Sequence, residues 1–447
     1  MSPRPPELTL CMIVRDEERF LPACLASATP LVDEIVVVDT GSSDRSVEVA
    51  RAAGARVIEE PWRDDFSRAR NASLEAARGR WVLVLDADER LEPCTRARLD
   101  EAIAACGSVE ALTVEIRSDL AGGASQSTHI LRLFSRRPEH RYEGRIHEQI
   151  AASIARRCGL PAISPRRSPL VARHLGYRPD LLAARNKKQR NETLLRAQVR
   201  DAPDDPAGWY LLGRELMTAA GGDLLACPAN REALAALARA RRLAGDAELA
   251  HHLDRDLRAA RLHLLAGDAA AARSLLDALP REARATLPAL AARGEWELEA
   301  GSKARGLELF QRCLEASPEA GPLGDVDPRW AGSWAHERIG RAHLRAGRVA
   351  AAAEAAARAR RTGPTEAGPA LLEARIAHRE GDSRGALATL VQAARQAPHD
   401  PRPHLAMAEI LFALHMSDPA RTAARTALKI APGWESPRAL LERHGGG

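Results

Sequence analysis

The chain has 447 residues, 45% of them hydrophobic and 28% charged, which is the mix of a globular protein of two or three domains and excludes a disordered chain. Its net charge of +5 is uneven: residues 1–180 hold 26 arginines, no lysine and 27 acidic residues, and the remainder holds 39 basic and 33 acidic residues. No basic run with interleaved aromatics occurs, which argues against a nucleic-acid partner, and seven cysteines without C-x-x-C spacing argue against a disulfide framework or a zinc site.

The first apolar run, LTLCMIV at residues 8–14, predicts a β-strand. It is too short for a signal-peptide core, and no stretch approaches the ~20 apolar residues of a membrane span. Residues 19–28 place apolar side chains at helix spacing. EIVVVD (34–39) is a second strand, followed by the polar turn TGSSD. A helix over 45–55 ends at Gly54, and RVIEE (56–60) is a third strand. A helix over 66–79 closes at Gly79, and WVLVLDADE (81–89) is the fourth strand. Alternating strands and helices, with continuously apolar strands, predict a parallel sheet covered on both faces. The ligand of such a sheet sits at the carboxyl ends of its strands.

The rhythm changes near residue 200. The segment 173–206 reads as a helix feeding the first of a series of helical repeats, and it lacks the Gly/Ser richness of a flexible linker. Gly301, Gly347 and Gly381 each precede a proline by 17 residues (Pro318, Pro364 and Pro398), and Pro364, Pro398 and Pro432 are 34 residues apart. Small residues recur in register, as at Gly294 and Gly340 or Ala352 and Ala386. WYLLGRELM (209–217) carries a W-x-x-L-G type start. A 34-residue period with a Gly turn and a closing Pro resembles tetratricopeptide repeats, and predicts five or six of them in an all-α solenoid. The domains are therefore set at 1–180 and 181–447.

The chemistry gathers in the first half. Asp86 and Asp88 lie two apart at the end of an apolar strand, where alternation would point both the same way. Two such charges call for a cation, and a hard divalent metal with oxygen ligands fits. Asp39 ends the second strand; Asp44 is the better cap for the next helix, which leaves Asp39 for a ligand. Backbone at Val14 can face a base, with Arg15 and Glu17 edging the pocket. Arg68 and Arg70 open a helix and cannot both face the core; one of them can pair with a diphosphate. The densest polar cluster after the D-x-D triplet is RLFSRRPEHRYEGRIHEQ, residues 132–149. Glu148 there reads either as a general base or as a carboxylate favouring the dipole of a helix beginning EQIAASIARR.

The stretches CMIVRDEE, DEIVVVDTGSSDRSVEVA, FSRARNASLEAARGRWVLVLDADE and YEGRIHEQI, in this order over residues 8–150, resemble family 2 glycosyltransferases with the GT-A fold, a Rossmann-like nucleotide-sugar-binding α/β domain. The subgroup they resemble is the bacterial lipooligosaccharide β-1,4-glucosyltransferase-like enzymes. Bacterial members with appended tetratricopeptide repeats include some that resemble peptide glycosyltransferases. The resemblance implies a nucleotide-diphosphate sugar donor, UDP-linked, a Mn²⁺ or Mg²⁺ ion, and inversion at the anomeric carbon. By position, Asp39 would hold the base, Asp86 the ribose side and Asp88 the metal. His147 would be a further metal ligand or diphosphate contact, and Arg145 would lie near the diphosphate. Glu148 would be the base, with Glu143 the runner-up. The expected acceptor is a protein or peptide, or a cell-envelope glycolipid, and the repeats are expected to hold that acceptor or a protein partner. The expected setting is the cytoplasm, either free or peripheral at the inner face of the membrane.

The rival class is an interaction scaffold whose glycosyltransferase-like half is inactive; the presence of all of Asp39, Asp86 and Asp88 argues against it. A nucleotidyltransferase or a dinucleotide-dependent oxidoreductase would need a glycine-rich loop after the first strand, where this chain reads VRDEERF. The Q-x-x-R-W signature of processive polysaccharide synthases is absent.

Overall fold

Strand β1 (Leu8–Val14) is buried along nearly its whole length and lies between two parallel neighbours, β2 (Glu34–Asp39) and β4 (Trp81–Val84). The computed structural model describes residues 7–119, 125–160, 163–175, 187–219, 228–245, 252–316, 328–364 and 366–445. The edge strand β3 (Arg56–Glu59) pairs parallel with β2. Helices α1 (Leu21–Ala28), α2 (Ser46–Ala52) and α3 (Phe66–Ala76) alternate with these strands, as the sequence predicts. Odd and even positions of β1 serve opposite faces. Leu8, Leu10, Met12 and Val14 join a core with Leu21, Leu25 and Ala50 from α1 and α2. Cys11 joins a second core with Leu74 of α3 and Ile154 of α5 (Ala151–Arg157). Both faces are thus covered, which accounts for the continuous apolar runs.

The sheet is larger than the parallel set. Its order is β3-β2-β1-β4-β7-β6-β8-β5, with β5 at Glu89–Leu91, β6 at Ala111–Asp119, β7 at Ser125–Ser135 and β8 at Arg166–His174. β7 runs antiparallel to β4, with Leu83 opposite Leu133, and β5 runs antiparallel to β8, with Glu89 opposite His174. This mixed extension, with helix α4 (Arg96–Ala104) before it, was not anticipated from the sequence, and it brings two further side chains to the site.

The fourth strand is shorter than expected. It stops at Val84 because the next residues close a turn on themselves: the Glu89 carboxylate accepts the Asp86 N–H at 2.8 Å, and the Asp86 carbonyl accepts the Glu89 N–H at 3.0 Å. Asp86 and Asp88 therefore sit in a turn between β4 and β5, and strand alternation does not decide where they point.

The chain divides into two compact units, Met1–Pro203 and Asp204–Gly447, where the sequence reading set its boundary at 180/181. Helix α6 (Lys187–Asp201) accounts for the difference. It belongs to the first unit, where its Gln198 side chain accepts the Arg145 N–H at 3.0 Å and its Asp201 takes the Arg145 guanidinium at 2.8 Å.

Among the described residues the second unit is helical, with six successive pairs from Pro206–Ala219 and Pro228–Ala244 to Arg402–Ala413 and Ser417–Ile430, and a final helix Glu435–Arg443. The second helices of the last three pairs begin at Val349, Ser383 and Ser417, keeping the 34-residue period. Gly347 and Gly381 adopt positive φ in the turns between paired helices, as their spacing implies. The matched small positions have a packing cause: a Cβ on Gly340 would lie 2.3 Å from the Leu372 side chain, and one on Gly294 3.1 Å from the Phe310 ring. Pro318, part of the predicted register, lies outside the described residues. No described helix is long and apolar enough to cross a membrane.

Candidate active site

Parallel pairing puts the ends of β1 and β2 side by side, Val14 opposite Asp39. The loops that follow are stitched together: the Asp16 N–H donates to Ser42 Oγ at 3.0 Å, the Glu17 N–H to Ser46 Oγ at 2.7 Å, and Asp16 Oδ1 accepts the Ser43 N–H at 2.7 Å. Beside them opens a cavity of about 870 Å³ at the carboxyl ends of β1 and β4, within the usual size range for small-molecule sites. Val14, Arg15, Glu17, Arg70, Asp86, Asp88, His147 and Glu148 all line it, so eight of the residues singled out from the sequence meet there.

Asp86 is held by two arginines. Arg70 Nη2 donates to its Oδ1 at 2.8 Å and Arg132 Nη2 to its Oδ2 at 2.7 Å. Burial opposes its charge, but the two guanidinium groups outweigh burial and hold the carboxyl well below the ordinary range. Arg70 Nε reaches Glu148 Oε1 at 2.5 Å, so one buried guanidinium bridges the D-x-D turn and the expected base. Arg68, by contrast, is exposed and paired with Glu60 at 2.9 Å. Burial likewise pushes the Tyr142 phenol up to about 12, and the Tyr142 ring lies 5.5 Å from the Arg70 guanidinium carbon. Among the described residues, Arg70 Nη1, Arg132 Nε and Tyr142 Oη are buried without a hydrogen-bond partner. All three residues line the cavity.

Asp88 has a different partner: His174 Nε2 lies 3.3 Å from its Oδ2. Burial disfavours charge on this imidazole, but Asp88, Glu89 and Asp86 outweigh burial and raise its pKa. The cations that the two aspartates call for are thus partly supplied by the protein itself, from Arg70 and Arg132 beside Asp86. Among the described residues no group of three or more His, Cys, Asp or Glu side chains could hold a metal by itself.

Three expected residues are placed otherwise. Asp39, 5% exposed, turns back on its own loop and accepts the N–H groups of Gly41 at 3.0 Å and Ser42 at 3.1 Å; its neighbour Thr40 lines the cavity. Arg145 is taken up by Asp201 and by the Asp64 carbonyl at 3.1 Å. Glu143 pairs with Arg156 and lies off the cavity wall. Glu148 is three residues before helix α5 rather than at its start, so its ion pair with Arg70, not a helix dipole, accounts for its position. His147 reaches the cavity from a backbone with φ of +54°, a conformation that costs energy for a residue with a Cβ.

A mixed sheet whose four parallel strands, β3-β2-β1-β4, form one side, with charged side chains around a cavity at their carboxyl ends, is a Rossmann-like ligand-binding domain. Residues 9–158 match the family model described as glycosyl transferase family 2, and residues 377–443 match a tetratricopeptide repeat model. The chain carries a family 2 glycosyltransferase domain at its N-terminal end and tetratricopeptide repeats toward its C-terminal end. It is similar to a TPR repeat-containing protein of Synechococcus elongatus, with 40% identity over 44% of this chain and 49% of that protein. It is also similar to the SPbeta prophage-derived glycosyltransferase SunS of Bacillus subtilis, with 26% identity over 47% of this chain and 49% of that one. A third relative is the lipopolysaccharide core biosynthesis glycosyltransferase LpsC of Rhizobium meliloti, with 33% identity over 34% of this chain and 58% of that one. The chain thus spans about half the length of these curated relatives.

Proposed function

We propose that the N-terminal unit transfers a sugar from a nucleotide-diphosphate donor, UDP-linked, to an acceptor hydroxyl or amide with inversion at the anomeric carbon. The observation that carries this reading is the Arg132–Asp86–Arg70–Glu148 chain beside the Asp88–His174 pair, all on one cavity within a family 2 domain. Asp86, kept ionised, retains acceptor capacity for ribose hydroxyls beyond its two arginine bonds. The unpartnered donors on Arg70, Arg132 and Tyr142 suit oxygens of the donor. Glu148 takes the proton of the attacking acceptor on the face opposite the departing nucleotide diphosphate, and Arg70 fixes where that carboxylate points.

The donor set beside Asp88 fits a divalent ion. A carboxylate oxygen and an imidazole nitrogen, with no third protein ligand among the described residues, leave positions for diphosphate oxygens and water. The imidazole favours Mn²⁺ over Mg²⁺. When bound there, such an ion neutralises charge developing on the leaving diphosphate. Asp88 and His174 would hold it, and His147, on the same cavity, would contact the diphosphate. Asp39 would meet the base once its carboxylate swings from its own turn.

The repeats supply the acceptor or partner surface, and the acceptor is a protein or peptide or a cell-envelope glycan; the relative named for lipopolysaccharide core biosynthesis favours the glycan. The test is nucleotide release from a panel of UDP-, GDP- and dTDP-sugars with Mn²⁺. Release confined to UDP-sugars and lost in Glu148→Gln supports the reading. Release from none of them by folded protein favours the scaffold alternative.

A further inference from the structure

The second unit has a cavity of its own. The second helices of neighbouring pairs run 13 to 17 residues, as in Pro228–Ala244, Lys303–Glu315 and Val349–Thr362, but Ala269–Asp277 runs only nine. The chain leaves this helix early and makes a short 3₁₀ turn at Ala283–Ala285 before the next helix, Leu287–Ala300. Beside the shortened helix lies a cavity of about 340 Å³.

Its lining is lopsided. Five arginines, Arg281, Arg284, Arg293, Arg305 and Arg312, face one acidic residue, Asp277, over a floor that includes four leucines, each 4% exposed. The whole chain, by contrast, holds 65 basic to 60 acidic residues. The arginines come from separate elements. Arg281 and Arg284 lie on the connection; Arg293 lies on one helix; Arg305 and Arg312 lie two turns apart on the next and so share a face. Arg284 is pre-set by donating to the carbonyls of Leu279 at 2.9 Å and Asp277 at 2.7 Å. Arg293 already binds a carboxylate, Asp277 Oδ1, at 2.5 Å. Arg305 comes only within 3.9 Å of Glu308. The side chains of Arg281 and Arg312 make no hydrogen bond or ion pair among the described residues. Arg293 also lies 3.5 Å from Glu297, but Asp277, Glu297 and Glu308 together are three carboxylates against five guanidinium groups. Planar forks converging from several directions match the oxygens of a tetrahedral phosphate, and the leucine floor matches hydrocarbon.

We propose that this cavity binds a phosphate ester that carries an apolar body. The site is independent of the donor-site reading, since every residue in it belongs to the repeat unit. Its ligand is either a soluble ester or a phospholipid headgroup, and one experiment separates the two. Calorimetric titration of the full chain with decyl phosphate and with inorganic phosphate is run beside co-sedimentation with phosphatidylglycerol and phosphatidylcholine vesicles. The variant is Arg281→Gln/Arg312→Gln, whose side chains hold nothing in place; Arg305→Gln is the second variant, used if the first loses helical circular dichroism.

The wild type is expected to bind decyl phosphate at least about tenfold more tightly than inorganic phosphate, and the variant to lose about tenfold or more of that affinity. Sedimentation with phosphatidylglycerol vesicles alone, lost in the variant, identifies the headgroup; ester binding without sedimentation identifies a soluble ligand. Absence of binding to both ester and vesicles, equal binding by wild type and variant, or equal affinity for the two phosphates overturns the proposal.

Discussion

Replacing Arg132 with methionine isolates the electrostatics of the site. Arg132 is 9% exposed and donates to Asp86 at 2.7 Å and to Glu89 at 3.3 Å. Glu89 is 2% exposed; burial raises its pKa and Arg132 pulls it back only in part. The substitution leaves the half-buried Asp86 and the buried Glu89 carboxylates in one turn with Arg70 as the remaining guanidinium. Removing one partner of a buried pair costs about 3–5 kcal/mol. The cost has a definite pH dependence. A carboxyl whose pKa is raised on folding gives stability that is complete below its unfolded pKa, about 4.3, and lost as pH rises through the folded value. Asp86, depressed on folding, stays ionised in both states above about pH 5. The defect of Arg132→Met therefore deepens from pH 5 to pH 8, and Glu89→Gln in the same chain removes much of that slope. Hydrogen exchange by mass spectrometry on peptides covering Trp81–Leu91 reads the opening free energy of this turn apart from the repeats. Protection unchanged in Arg132→Met, or a defect that Glu89→Gln does not relieve, would refute the reasoning.

Other residues give separate expectations. Glu148→Gln should lower turnover about 10²- to 10⁴-fold, the usual range for a lost general base, while UDP affinity changes little; steady-state kinetics beside calorimetry check this, and an equal loss of binding would make Glu148 a ligand contact. His174→Ala should weaken Mn²⁺-dependent UDP binding about tenfold or more, with the metal-free affinity unaltered; a titration with and without Mn²⁺ decides it. In the repeats, Glu295 accepts from Arg261 at 2.8 Å and pairs with Arg338 at 3.2 Å. Burial opposes its charge, but these arginines prevail and lower its pKa. Its stabilising contribution is therefore present above an unfolded pKa of about 4.3 and lost as pH falls below it. Glu295→Gln should cost about 3 kcal/mol at pH 7 and less at pH 3, in thermal unfolding followed by circular dichroism; an equal loss at both would contradict the pairing.

The central strands were legible because β1, β2 and β4 are buried on both faces and read as unbroken apolar runs. The repeats were legible because Gly340 and Gly294 hold positions a Cβ would obstruct. Most of the site was legible too, since Asp86, Asp88, Arg70 and Glu148 fall in short motifs near strand ends. Arg132 and His174 were not. Arg132 meets Asp86 only through the antiparallel register that sets Leu133 opposite Leu83, and His174 nears Asp88 only because β8 pairs with β5 across some 80 residues of chain. Such pairings follow from how the sheet closes, which local pattern does not encode. The D-x-D stretch misled in a simpler way: its apolar run looked like strand to Glu89, but the Glu89 carboxylate captures the Asp86 N–H and closes a turn.

The most direct test of the donor-site account is calorimetric binding of UDP, with GDP as control, in the presence and absence of Mn²⁺, to the wild type and to Asp88→Ala. UDP should bind more tightly with Mn²⁺ present, GDP should bind more weakly than UDP, and Asp88→Ala should lose the Mn²⁺ effect. Folded wild type that binds neither nucleotide, with or without the metal, would contradict it.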